Sequence, residues 1–406
     1  MGALIDTVII GGGQAGLAMS YHLKQRGIEH VIFERSRIAE GWRSERWDSL
    51  VFQFPNWSIR LPGQTYTSDN PDGFAPKDEI VRFLEAYATF IQAPVKCGVK
   101  VHALRHETPA GHFILETATG PMSALNVVVA TGSYHQPVVP AFSQSIPDSI
   151  MQLHSRDYRN PGQLPSGNVL VVGSGASGVQ IAEELHQNGR HVYLSVGRHD
   201  RAPRKYRQKD IYWWLETLGI WRLPIEAHPE MKTWRPLYTG VGGGHDINLR
   251  QFAANGMTLV GRLSGITDSK LYFASDLLEN LTKSDRWFSS FKSQIDRHVL
   301  ENGLDLSIEE PGLAQPGSSQ ELDQVSDLDI SNIASVIWAG GFKSDFDWIK
   351  LPAFGDTGEP EMRRGVSTWP GLYFLGLRRT YTVGSSLLAG VGDDAAHIAQ
   401  HIAARP

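Results

Sequence analysis

Cysteine is nearly absent from this sequence: Cys97 is the one cysteine in 406 residues. A lone cysteine excludes an internal disulfide framework, a zinc site built on paired cysteines and a Cys-x-x-Cys redox pair. No apolar run approaches the ~18 residues of a membrane span. The start carries no basic stretch, and Asp6 stands where a myristoylation signal wants Ser or Thr, so a cytoplasmic protein is expected. Gly-x-Ser-x-Gly, His-Glu-x-x-His and Walker A motifs are all missing, and Pro109 after His106-Glu107 rules out a metal-binding helix there. No metal is therefore expected. Nor is there a positive excess: the net charge is −5, so neither nucleic acid nor an anionic membrane is expected as partner. With 41% apolar and 20% charged residues, the chain suits a globular enzyme of two or three domains.

What the sequence does contain is a repeat. Leu4 to Ile10 is a short apolar, β-branched run and predicts a buried strand. Gly11-Gly12-Gly13-Gln14-Ala15-Gly16 follows, then a helical pattern from Leu17 to Arg26, a stop at Gly27 and a second strand, His30 to Phe33, closed by Glu34. This is the βαβ dinucleotide fingerprint in its required context. Asn168 to Val172, then Gly173-Ser174-Gly175-Ala176-Ser177-Gly178, then Val179 to Gln187 with Gly189, repeat it. Gly11, Gly13, Gly16 and Gly27 match Gly173, Gly175, Gly178 and Gly189, each pair 162 residues apart. In such a motif the first glycine allows the tight turn. The second lets backbone approach a pyrophosphate, and the third lets helix pack on strand.

The copies differ at the end of their second strand. Glu34, with Arg35 after it, is placed to accept hydrogen bonds from ribose hydroxyls, whereas the matching position holds Val196. Beyond it, Arg198 to Lys209 carries six Arg or Lys against one Asp200. A 2′-phosphate is repelled by a carboxylate and held by arginine, so the second site reads as NADPH, with Arg198 its chosen contact. The other basic residues of that run are expected to face water. Two sites imply two ligands, a tightly held FAD and a transient nicotinamide.

With these motifs in place, the chain resembles the single-component (class B) flavin monooxygenases, in the flavin-containing monooxygenase and YUCCA-like branch. Ala39-Glu40-Gly41-Trp42, followed by Arg43, is similar to the family's Gly-Gly-x-Trp segment. Ile80 to Phe90 resembles its helix after the flavin-side loop. Ala130-Thr131-Gly132 with Pro137 and Pro140 matches its linker, and Val336 to Phe342 resembles its late strand ending in Ala-Thr-Gly-Tyr. Of the family's identifying motif only His154 and Tyr158 remain, with Asp148 and Ile150 at the Phe and Gly positions. His154 is read as a histidine of the domain junction, and Gln53 falls where many members carry an Asn beside the flavin.

The resemblance implies an α/β fold with two Rossmann-like dinucleotide-binding domains, the NADPH domain inserted into the FAD domain. Residues 1–160 and 325–406 would form the FAD domain. Residues 161–324 would form the NADPH domain; the Trp-, Pro- and Gly-rich stretch around 201–260 within it has little resemblance to the family and is read as a substrate or lid-like insertion, with a structural decoration as the alternative. It further implies hydride transfer from NADPH to FAD, a C4a-hydroperoxyflavin, and insertion of one oxygen atom from O2 into a small organic substrate, by N- or S-oxygenation or oxidative decarboxylation. Gln53 would serve the chemistry. The Val391 helix, with Leu388 just ahead of it, would point at the flavin. A homodimer is allowed. An NADPH-dependent flavin reductase serving a partner, or a nucleotide-sensing flavoprotein without turnover, stays open as an alternative.

Overall fold

The computed structural model describes residues 4–107, 111–267, 269–306, 322 and 324–405. Its centre is a pair of parallel arrays with one spatial order. In the first sheet, Leu372–Phe374, Gly120–Val129, Leu4–Ile10, His30–Glu34 and Val95–Cys97 run side by side and parallel. In the second, Met151–His154, Ser335–Trp338, Val169–Val172, Val192–Ser195 and Thr258–Val260 do the same. Val8, Ile9, Val127, Val128, Val169, Leu170 and Val171 are completely buried, as befits parallel strands covered on both faces. The repeat holds in register too: Ile10 pairs with Phe33, and Val172 with Ser195.

The helices expected after each glycine loop are Gln14–Gln25 and Ala176–Gln187, and the flavin-side helix is Lys77–Phe90. The terminal helix Val391–Ala403 packs on Gln14–Gln25. One expectation is corrected. The boundaries 1–160 and 325–406 place Met151–His154 and Ser335–Trp338 in the first unit, yet the two pair with each other, and Ser335–Trp338 pairs with Val169–Val172. Ser335–Trp338 is the counterpart of Gly120–Val129, because each lies beside a glycine-loop strand. The units are joined by two connectors, Gln136–Pro137 and Phe342–Lys343, which pair antiparallel.

Between Val192–Ser195 and Thr258–Val260 the chain runs through a segment with few strands and a dense aromatic core, walled by the 25-residue helix Leu277–Glu301. Leu277, Leu281, Ser284, Phe288, Phe291, Ile295 and Val299 form its buried stripe, at spacings of three or four. The polar stretch Gln315 to Asp329 lies partly outside the described residues. Its end, Asp327–Asp329, is a strand on the hairpin of Leu263–Thr267 and Lys270–Phe273. No helix among the described residues is long and apolar enough to cross a membrane.

Candidate functional site

Both glycine loops are shaped by the same contacts. Gly11 has φ +118° and a Cβ there would lie 2.4 Å from the Ala130 carbonyl oxygen; Gly173 has φ +116° and its Cβ would meet the Ala339 oxygen at 2.6 Å. A Cβ on Gly16 or Gly178 would sit 2.0 or 1.9 Å from the carbonyl oxygen of Gly11 or Gly173. By contrast, a Cβ on Gly13 or Gly175 would meet nothing within 4 Å. The middle glycine thus borders open space at a helix N-terminus, where a pyrophosphate would need backbone N–H groups. Ala130-Thr131-Gly132 and Ala339-Gly340-Gly341 are equivalent walls of the two cradles.

In the first cradle Glu34 is nearly buried and organises the loop. Its Oε2 accepts from the Gly12 N–H at 2.7 Å and its Oε1 from the Ser36 N–H at 2.8 Å. Each oxygen keeps a lone pair for a ribose hydroxyl. Gln14 donates to the Ser386 carbonyl at 2.7 Å, and Ala15 closes on Gly376. Ala39 accepts a left-handed backbone at φ +60° while its N–H reaches the Gly12 oxygen at 3.2 Å. This explains why the related segment favours glycine there. Ala15, Ala39, Ala130 and Leu388 share one core, with Trp42 packed against it. Arg35 and Arg43 instead pair outward, with Glu45 and Glu85.

In the second cradle Ser174 closes the loop through its hydroxyl, which accepts from the Gly197 N–H and donates to the Gly197 carbonyl, both at 3.0 Å. Val196 is fully buried. Arg198 is exposed and its side chain makes no hydrogen bond or ion pair among the described residues. A second cation, which sequence reasoning did not single out, stands beside it: the Arg262 Cγ would be 3.6 Å from a Cβ on Gly197.

The rest of the basic run needs correction. Arg201, Arg204 and Arg207 are buried and do not face water. Arg201 lies 4.1 Å above the Phe288 ring between Asp246 and Asp285, and burial lowers its pKa. Arg204 pairs with Asp210, and Arg207 with Asp296 at 2.8 Å. Such a pattern is hard to see in sequence because Asp296 lies 89 residues from Arg207.

His154 is buried at the junction of the units, its Nε2 3.1 Å from the Gly341 carbonyl oxygen, and burial lowers its pKa. Tyr158 donates to Glu184 at 2.7 Å and is fully buried. Both act as structural residues. Gln53 is half-buried, and its side-chain amide makes no hydrogen bond among the described residues. It lies between Phe52 and Phe54, and Phe54 meets Tyr212, Tyr238 and Trp221 with ring centroids 4.9, 5.3 and 5.6 Å away. This aromatic wall comes from the insertion. It is bonded to the first unit through Arg60–Glu216, Ile225 N–H to the Tyr381 oxygen at 2.9 Å, and Arg379 to the Lys232 and Trp234 carbonyls. No cluster of three metal-ligating side chains occurs among the described residues.

Two alike dinucleotide cradles, the first carrying a carboxylate and the second none, define a flavoprotein-type oxidoreductase fold. The family model described as pyridine nucleotide-disulphide oxidoreductase matches residues 8–223. An uncharacterized CzcO-like oxidoreductase of Geobacillus kaustophilus is 36% identical over 405 residues, covering 98% of each chain. The probable indole-3-pyruvate monooxygenase YUCCA3 of Arabidopsis thaliana is 29% identical over 199 residues, 47% of this chain and 45% of that protein. Among solved structures, a flavin-containing monooxygenase from Stenotrophomonas maltophilia superimposes with TM-score 0.69 at 19% identity, covering 100% of this chain and 99% of that one. The chain belongs to the pyridine nucleotide-disulphide oxidoreductase family.

Proposed function

We propose that this protein is an FAD- and NADPH-dependent monooxygenase acting on a small organic molecule with O2, by N- or S-oxygenation or oxidative decarboxylation. The observation that carries this reading is the paired cradle, with open space at Gly13 and Gly175 and a carboxylate in the first alone. Gly11, Gly13, Gln14, Ala15 and Gly16 would hold the FAD pyrophosphate, and Glu34 its ribose. Ala130-Thr131-Gly132, Gly41, Trp42 and Leu388 would line the flavin, with Arg35 and Arg43 at its rim. Gly173 to Gly178 would hold NADPH, with Arg198 on its 2′-phosphate. Bound FAD supplies the redox and oxygen chemistry. The chain positions the ligands and keeps water out, using Trp42, Phe52, Phe54 and the insertion's aromatic wall. Gln53, whose side-chain amide makes no hydrogen bond among the described residues, is the group that would hydrogen-bond at the reacting edge.

Purified protein should carry about one FAD per chain and consume NADPH with O2 uptake. Gln53→Ala should leave NADPH-driven flavin reduction nearly unchanged and raise the share of NADPH ending as hydrogen peroxide. Protein without FAD refutes the reading. Electrons passing to an added protein acceptor in preference to O2 would favour the reductase.

A further inference from the structure

The segment around Gln53 is held at its flanks by backbone bonds. Phe52 N–H reaches the Ala75 oxygen at 2.7 Å, and Asn56 N–H the Gly73 oxygen at 2.8 Å. Between them, the Gln53 carbonyl is held by a side chain from the insertion: Arg204 Nη1 donates to it at 2.7 Å. Arg204 is 3% exposed, and every part of it is fixed. Its Nε donates to Asp210 Oδ2 at 3.0 Å, its Nη2 to Asp210 Oδ1, and its guanidinium lies 4.9 Å from the Phe74 ring centroid. Its own N–H donates to Asp246 Oδ1 at 2.6 Å. Asp210 in turn caps the helix Ile211–Thr217 by accepting from the Tyr212 N–H at 2.7 Å, and Tyr212 packs against Phe54. One buried fork therefore joins the Gln53-Phe54 peptide to the wall that faces it.

We propose that Arg204 is a positioning residue: with Asp210 it fixes the Gln53 peptide, and through it aims the Gln53 amide. This rests on the reading that Gln53 serves the flavin. A planar guanidinium can grip a carboxylate with two donors and a carbonyl with a third; lysine lacks that fork.

Removing Arg204 alone would strand the buried Asp210 charge and put folding at risk. The test therefore uses Arg204→Met with Asp210→Asn, because neutralising both partners avoids that cost and Asn still caps a helix. Arg204→Lys is the second variant. Hydrogen exchange of the peptide spanning residues 51–57 is measured on FAD-free protein. It should speed up ~10-fold or more in both variants while each variant still melts cooperatively as a folded protein, since a hydrogen bond to a charged group is worth ~1.5–3 kcal/mol. In FAD-loaded protein the peroxide share should rise to that of Gln53→Ala, and adding Gln53→Ala to the double variant should raise it no further. Unchanged exchange, or peroxide effects that add, overturns the positioning role. If Gln53→Ala itself leaves the peroxide share unchanged, the role of Gln53 fails, and the aiming of its amide fails with it.

Discussion

Gly13→Ala separates folding from ligand binding, because the structure assigns opposite signs to the two effects. Gly13 has φ −91°, which any residue adopts, and a Cβ there meets nothing within 4 Å. Alanine thus creates no clash in the free protein. By reducing the freedom of the unfolded chain it should stabilise the FAD-free form by about 0.4–1 kcal/mol. The same methyl would occupy the space that a pyrophosphate needs at the helix N-terminus. Losing one charge-assisted hydrogen bond costs about 1.5–3 kcal/mol, or ~10–150-fold in Kd. The assay is a titration of FAD-free protein with FAD, followed by flavin fluorescence, beside a thermal melt without FAD. Gly11→Ala is the contrast: φ +118° and a backbone oxygen 2.4 Å from the new Cβ predict a damaged fold with or without ligand. Full FAD affinity in a well-folded Gly13→Ala protein would refute the assignment of the first cradle.

Three further outcomes are expected. Arg198→Ala should raise KM for NADPH by ~10-fold or more and barely move NADH kinetics, since it deletes a charge-assisted bond to a 2′-phosphate; equal loss with both coenzymes would make Arg198 structural. His245 Nε2 donates to the Glu183 carboxylate at 2.7 Å, and that hydrogen bond raises its pKa above 6.5. A raised folded pKa means stability fully present below pH 6.5 and lost as pH rises through the higher value, so Glu183→Gln should lower the melting temperature more at pH 5.5 than at pH 8.5. Ala39→Gly should preserve FAD content and leave the melting temperature unchanged or higher, because it relieves a left-handed backbone that costs ~1–2 kcal/mol; a clear drop would mean that the buried Ala39 methyl outweighs its conformation.

The two cradles were legible because their constraints are local. Gly11, Gly16 and their counterparts are imposed by carbonyl groups that leave no room for a Cβ. The apolar strands that feed them announce burial on both faces. Sheet membership was less legible: Met151–His154 and Ser335–Trp338 are short apolar runs, and nothing within them says which sheet they join. The stripe from Leu277 to Val299 shows that periodicity alone could have marked the longest helix. The basic run misled for a different reason. A buried arginine and a solvated one look alike until the carboxylate is found, and Asp246, Asp285 and Asp296 are supplied by distant elements. Arg198 is distinguished from its neighbours by the absence of such a partner among the described residues, which sequence spacing does not reveal.

That distinction deepens the contrast between the cradles. Each must tie its loop to the residues ending the second strand. The first uses a carboxylate, Glu34 on the Gly12 N–H. The second reverses the direction and uses a neutral hydroxyl, Ser174 on the Gly197 N–H. The same mechanical task is thus met without a negative charge, and Val196 leaves none behind. A carboxylate there would both repel a 2′-phosphate and claim the nearby guanidinium. With a hydroxyl in its place, Arg198 keeps its donors, and Arg262, held by Asp276, adds a second positive group beside Gly197. If the second cradle takes NADPH as proposed, discrimination against NADH would rest on Ser174 as much as on Val196 and Arg198. In the first cradle the same logic would run the other way, with Glu34 favouring hydroxyls over phosphate at the ribose of the proposed FAD.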